Sequence, residues 1–245
     1  MRTVVRFAET LLTTVGGAAI SGLVGQLLAR RLDFDPTIAT LFAVVGGLNG
    51  AFAGARRIHA WRTPGGWLAF VLDSSWALIG TTQGVLVNLY NTLRPGSEFS
   101  PAFSTRCDRH VFGRGFALRR HYATTLGNVV TNARLGRSTP IEERRDLIEL
   151  HEDLHVWQQR WFGPIYPLTY LAVAVIGSIV GVVFALVSRE RRRRGVRIGR
   201  LIETAAYYDN PFEIWAYRNQ ARWEQCGAMP VLKWGVLRWE PNHDV

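Results

Sequence analysis

The sequence predicts a mainly α-helical membrane protein. An N-terminal glycine-rich transmembrane hairpin (1–62) precedes a small, membrane-apposed α(+β) domain (63–245). Three observations carry this. Hydrophobic residues make up 48% of the 245 residues, with 9 Trp, which is high for a soluble enzyme. The apolar residues gather into long runs at Phe7–Leu28, Thr37–Ala55, Trp67–Tyr90 and Ile165–Val187. The net charge of +10 is almost all Arg, and Lys233 is the sole lysine. These Arg clusters flank the apolar runs, which selects a lipid surface as partner over nucleic acid. No base-recognition motif is present, and the aromatics do not interleave with the basic runs as a stacking platform would.

Phe7–Leu28 is near spanning length, with Arg2 and Arg6 before it and Arg30-Arg31 after it. No cleavage site follows, so it reads as an anchor. Asp33-Phe34-Asp35-Pro36 turns the chain into Thr37–Ala55. There Gly46, Gly50 and Gly54 recur every four residues as a glycine zipper, a face for close packing in the hairpin and for helix–helix oligomerisation. A soluble pair of such glycine-rich helices would carry glycine's helix penalty in water. His59, in the basic loop Arg56–Arg62, reads as part of an anchor and not as a ligand.

Trp67–Tyr90 is interrupted by Asp73, Ser74 and other polar residues. It reads as a span packed on the hairpin or as a helix lying against the membrane. Asp73 is an accessory acid candidate, with a satisfied structural carboxylate the simpler reading. Residues 91–138 are polar and broken by Pro and Gly, and Tyr122–Thr131 has the β-branched content of a strand. Next to a metal helix, its edge could hold an extended peptide. His110 and His121 flank it, either as accessory donors or as surface histidines. Cys107 and Cys226 read as ordinary buried thiols.

The stretch with chemistry is His151-Glu152-Asp153-Leu154-His155. On a helix, positions i and i+4 share a face, so the two imidazoles can meet one metal ion, with Glu152 placed to deprotonate a water that the metal activates. Thr139-Pro140-Ile141-Glu142 reads as a capping-box start, and Gly163-Pro164 ends a helix over 140–162. Leu147, His151, Leu154, His155, Gln158 and Phe162 fall on one face. The plain alternative is a pair of hydrogen-bonded core histidines. A catalytic site of this type needs a third protein ligand. Glu213 is the candidate, in the first turn of a helix over 211–226 that opens with Asn210-Pro211. The competing role is closure of an Asn-x-x-Glu capping box. Tyr208 is an accessory candidate beside it.

HEDLHVWQQRWFGPIYP followed by NPFEIWAYR resembles an uncharacterised group of bacterial membrane-associated metallopeptidases. That group pairs His-Glu-x-x-His-x-x-Gln with a downstream Glu-x-x-Ala, the gluzincin arrangement. Trp67–Leu93 and TTLGNVV are similar to its upstream portion, so the resemblance covers about residues 66–220. It implies a zincin-like domain with zinc on His151, His155 and Glu213, Glu152 as catalytic base, a peptide or protein substrate, and a place in the bacterial plasma membrane. The Arg flanks put the catalytic domain on the cytoplasmic face.

One tension remains. A single span at 165–187 would separate the histidines from Glu213. The expectation is that this run is a hairpin broken near Gly177-Ser178, or packs at the interface. The other outcomes are that Glu213 is not a ligand or that the metal helix is itself set into the membrane. The rival functional class is a non-enzymatic membrane scaffold or lipid-binding protein with a structural or vestigial metal motif.

Overall fold

The computed structural model describes residues 2–119, 122–134, 136, 139–188 and 197–220, with the short strands at 232–233 and 236–237. It is mainly helical, with a small sheet, and forms two compact units, Met1–Pro164 and Ile165–Val245. Three helices are long and apolar enough to cross a membrane: residues Thr3–Leu32, Thr37–Arg56 and Ile165–Val187.

The first unit opens with the hairpin of α1 (Arg2–Leu32) and α2 (Thr37–Arg56). Its turn is set by Asp33 at φ 55 and by the Asp35 carboxylate, which accepts from the Thr37 N–H at 2.7 Å. A Cβ at Gly50 would strike the Thr13 carbonyl, one at Gly54 the backbone of Thr10, and one at Gly46 the Gly17 carbonyl. The Gly46, Gly50 and Gly54 face thus packs against α1 of the same chain, within the hairpin. The Thr13 hydroxyl donates to the Gly50 carbonyl at 2.7 Å, which fixes the register. At the basic end, buried Glu9 accepts from Arg106, Arg57 and Trp61.

The run from 67 to 90 is not one span. Thr63 caps α3 (Pro64–Asp73) by accepting from the Gly66 N–H, and Pro64 fills the first turn. A turn at Ser74–Ala77 leads into α4 (Leu78–Leu93). The polar residues that interrupt the run sit at this break: the Thr81 hydroxyl donates to the Asp73 carbonyl at 2.7 Å.

The sheet has the order β1 (Glu98–Phe99), β2 (His110–Arg114), β4 (Val129–Thr131), β3 (Thr124–Leu126). The β2–β4 pair is parallel and the others antiparallel. The single strand expected over 122–131 is a tight hairpin, because Gly127 takes φ 58 and reverses the chain. Val111 and Val130 of the sheet pack with Phe103, Ile141, Ile148 and Val156, which joins the sheet to the helix that carries the histidines.

That helix starts at Ile141, not at Thr139-Pro140. Pro140 stands before it in an extended conformation with no side-chain cap, so the expected capping box is not formed. A 3-10 turn (Ile141–Arg144) leads to a π turn (Leu147–Glu152) and then to α5 (Asp153–Phe162). Gly163, at φ 53, ends it against the Trp76 indole, where any Cβ would collide.

In the second unit, α6 (Ile165–Val187) is one unbroken helix, contrary to the expected break at Gly177-Ser178. The glycine there is a contact point. A Cβ on Gly177 would meet the Ala205 carbonyl, and one on Gly181 would lie 2.8 Å from Ile202 Cα. The chain returns antiparallel to α6 as α7 (Ile198–Glu203), which continues in a π turn (Thr204–Tyr208). It then enters α8 (Pro211–Asn219). The described part of this helix ends at Asn219, and residues 221–226 of the expected helix over 211–226 lie outside the described residues. Short strands β5 (Leu232–Lys233) and β6 (Val236–Leu237) pair beyond it. Cys226, Trp234, Trp239 and the Arg191–Arg194 cluster lie outside the described residues.

Candidate metal centre

His151 and His155 are both buried, on consecutive turns of one helix. Their Nε2 atoms stand 3.2 Å apart. Two nitrogens held about 2.0–2.1 Å from a tetrahedral ion would be about 3.3 Å apart, so the pair is spaced as a ligand pair would be. The His155 Nδ1 lies 2.9 Å from the Gln158 amide oxygen. An amide oxygen can only accept, so Nδ1 carries the proton and Nε2 keeps the lone pair that a metal needs. Gln158 is fully buried one turn on, held at the back of the ring.

Glu152 is buried, and its Oε2 accepts from the Thr125 hydroxyl of β3 at 2.5 Å. The π turn that ends at Glu152 matters here. Its wider ring shifts the facing of residues on either side, as π segments commonly do at functional sites. Next to Glu152, Asp153 is ion-paired with Arg109 at 2.5 Å. Burial pushes the Asp153 carboxyl above its usual range, with Arg109 opposing. Farther along, the Gln159 amide oxygen accepts from the Gly127 N–H at 2.6 Å and pins the β3–β4 turn to the helix.

Glu213 is buried in the first turn of α8. Asn210 caps that helix by accepting from the Phe212 N–H at 3.1 Å. The N–H of Asn210, which a capping box would give to Glu213, donates instead to the Tyr207 carbonyl. The Glu213 Oε1 accepts from the Tyr170 hydroxyl of α6 at 2.8 Å. Because α7 runs back along α6, Glu213 sits beside the second turn of α6, at the end where that helix begins. All three of the sequence-predicted ligands are buried, His151 and His155 in the first unit and Glu213 in the second.

The other candidates fall elsewhere. Asp73 is a structural carboxylate: both its oxygens accept from Arg160, at 2.8 and 2.9 Å, and Oδ2 also accepts from Asn128. Tyr208 lies in the π turn before α8, its ring against Tyr207 and Tyr217. His110 is not a surface histidine. It is wholly buried on β2, with Nδ1 3.2 Å from the Arg56 guanidinium. Arg56 can only donate, so Nδ1 accepts and the ring is neutral. Burial first, and then the neighbouring Arg56, His59 and Arg160, hold its pKa well below the ordinary value. His59 is also fully buried, between Trp61 and Phe70. Cys107 is part-exposed, not buried. His121 lies outside the described residues.

Sequence reasoning gave no role to Gln158, Thr125, Tyr170 or Arg160. Gln158 and Tyr170 carried a signal: Gln158 is three residues after His155, and Tyr170 shares a helix face with Tyr166. Thr125 and Arg160 carried none, since their partners are distant in sequence. No protein-family model, curated protein or solved structure matches the chain.

Proposed function

We propose that this chain is a membrane-bound zinc metallopeptidase. The observation that carries the reading is the His151–His155 pair, with its Nε2 atoms 3.2 Å apart and Gln158 fixing the tautomer of His155. Two imidazoles and a carboxylate are the donor set of a catalytic zinc site, which leaves a fourth position open. In this reading His151, His155 and Glu213 hold zinc, and the ion, when bound, supplies the Lewis acidity that activates water and polarises a carbonyl.

The remaining work falls to the chain's own groups. Glu152 takes a proton from the attacking water, whose oxygen bonds to the scissile carbonyl carbon. The C–N bond then breaks, and Glu152 passes the proton to the leaving amine, so the products are a carboxylate and an amine. Thr125 orients the Glu152 carboxylate through its 2.5 Å hydrogen bond. Tyr170 does the same for Glu213. Among the described residues strand β3 pairs only with β4, so its outer edge can take an extended peptide beside Glu152. The three apolar helices are what support the membrane location.

The test uses the purified full-length chain in detergent, loaded with zinc and incubated with a peptide library. Hydrolysis is expected, and Glu152→Gln should keep zinc while losing hydrolysis. A Glu152→Gln protein that loses zinc as completely as His151→Ala would show that the base has been misassigned.

A further inference from the structure

The helix carrying the histidines is tied to a depth that can be read along the hairpin. Arg2, Arg6, Arg56, Arg57 and Arg62 mark the basic end of α1 and α2, where a water–lipid boundary belongs. From that end, α3 descends along α1. Trp61 bonds Glu9, Phe70 packs at Gly16, and the Ser74 carbonyl accepts from the Ser21 hydroxyl at 2.7 Å. Glu9 to Ser21 is twelve residues, about 18 Å of helix, against a hydrocarbon thickness of about 30 Å. The chain turns there and α4 climbs back, reaching the basic end again where Asn88 accepts from Arg56. Helices α3 and α4 thus form a re-entrant pair whose tip lies near the middle of α1.

The metal helix follows this pair. At its upper part, Asp153 is ion-paired with Arg109, adjacent to Asp108, whose N–H donates to the Ile58 carbonyl just past α2. At its lower part, Arg160 is bound to Asp73 and reaches back to donate to the Asp108 carbonyl, and the Trp161 carbonyl accepts from the Trp76 indole N–H at 3.0 Å. Asp73 and Trp76 belong to the re-entrant tip. His155 is five residues before Arg160, about 7–8 Å along the helix. The apolar side chains Val71, Trp76, Ile79 and Trp161 of this part of the unit are each over 40% exposed, as are Leu11, Val15 and Leu23 of α1 and Leu41 and Val44 of α2. Such a band on one unit is covered in a bilayer by hydrocarbon.

We infer that α3–α4 and the lower part of the metal helix are inserted in the bilayer, and that the substrate of the site is a polypeptide segment held in or just leaving the hydrocarbon. The substrate class rests on the peptidase reading; the insertion does not. A peptide bond reaches Glu152 and His155 a helical turn or two below the basic rim, where a soluble chain would first have to leave water. A segment already in the membrane has its desolvation done.

Two measurements on the full chain in phosphatidylethanolamine–phosphatidylglycerol vesicles test this. A nitroxide on Trp161→Cys, in a Cys107→Ser/Cys226→Ser background, should collide more with oxygen than with a water-soluble nickel chelate. The reverse preference overturns the insertion. Zinc-loaded protein should then cleave single-span peptides roughly tenfold or more faster than soluble peptides of the same cleavage sequence. The cut should fall within the apolar segment or in its first few flanking residues. Cleavage of soluble peptides at an equal rate, or cuts far from the bilayer, would overturn the substrate class and leave the peptidase reading standing. Cleavage of neither by protein that holds zinc would remove both.

Discussion

The Asp73–Arg160 pair offers the sharpest energetic test of the fold. Arg160 is 1% exposed and Asp73 2% exposed, and both carboxylate oxygens are engaged. Asp73→Asn keeps the shape and removes the charge, leaving a buried guanidinium without its counter-ion. Breaking such a pair from one side costs roughly 3–5 kcal/mol. For a chain of this length that is a fall of roughly 6–20 °C in apparent Tm. Replacing both partners with apolar residues of similar size, Asp73→Leu with Arg160→Met, should recover most of the loss, because the cost is the stranded charge and not the missing attraction. Thermal unfolding in detergent, followed by circular dichroism, reads the cycle. An Asp73→Asn loss under about 1 kcal/mol would refute the reasoning, since it would mean that water reaches the guanidinium.

Three further outcomes follow from other parts of the molecule. Gly50→Leu drives a side chain into the Thr13 carbonyl and should lower stability by roughly 1–3 kcal/mol, whereas Leu48→Ala on the exposed face should change it little; both are read by the same melts. Gln158→Leu frees the His155 tautomer and should weaken zinc affinity roughly 10–100-fold with the fold intact, measured by competition with a chelator. The pKa of His110 is depressed, so the folded state holds it neutral. Its stabilising contribution is complete above the unfolded value near 6.5 and is lost as pH falls below that, at up to about 1.4 kcal/mol per pH unit. Melts between pH 7.5 and 5 should show a shallower acid decline for His110→Gln than for the wild type.

How much of this was legible in the sequence depended on the range of the interaction. The hairpin was legible because length, hydropathy and glycine spacing are local properties of a helix. The two histidines were legible for the same reason: four residues is one turn. The break at Ser74–Ala77 was not, because the polar residues of 67–90 read equally as a buried face or as a turn. What decides is a distant partner, with Asp73 held by Arg160 87 positions away. The expected kink at Gly177 failed because glycine inside an apolar run signals either a bend or a close approach, and only the return of α7 selects the second. The start at Thr139-Pro140 satisfied a capping pattern, yet Pro140 adopted the extended conformation that precedes a helix. His110 looked peripheral because its setting in sequence is polar, while β2 is buried almost throughout by neighbours that local pattern cannot name.

The central claim is that His151, His155 and Glu213 together hold one zinc ion. The most direct measurement is metal content by mass spectrometry on purified full-length protein after zinc loading and desalting, for the wild type and for His151→Ala, His155→Ala and Glu213→Ala. The account predicts about one zinc per chain in the wild type and most of it lost in each variant, with melting curves that remain cooperative. A wild-type protein that melts cooperatively yet stays metal-free would contradict it, as would a Glu213→Ala protein that binds zinc as tightly as the wild type.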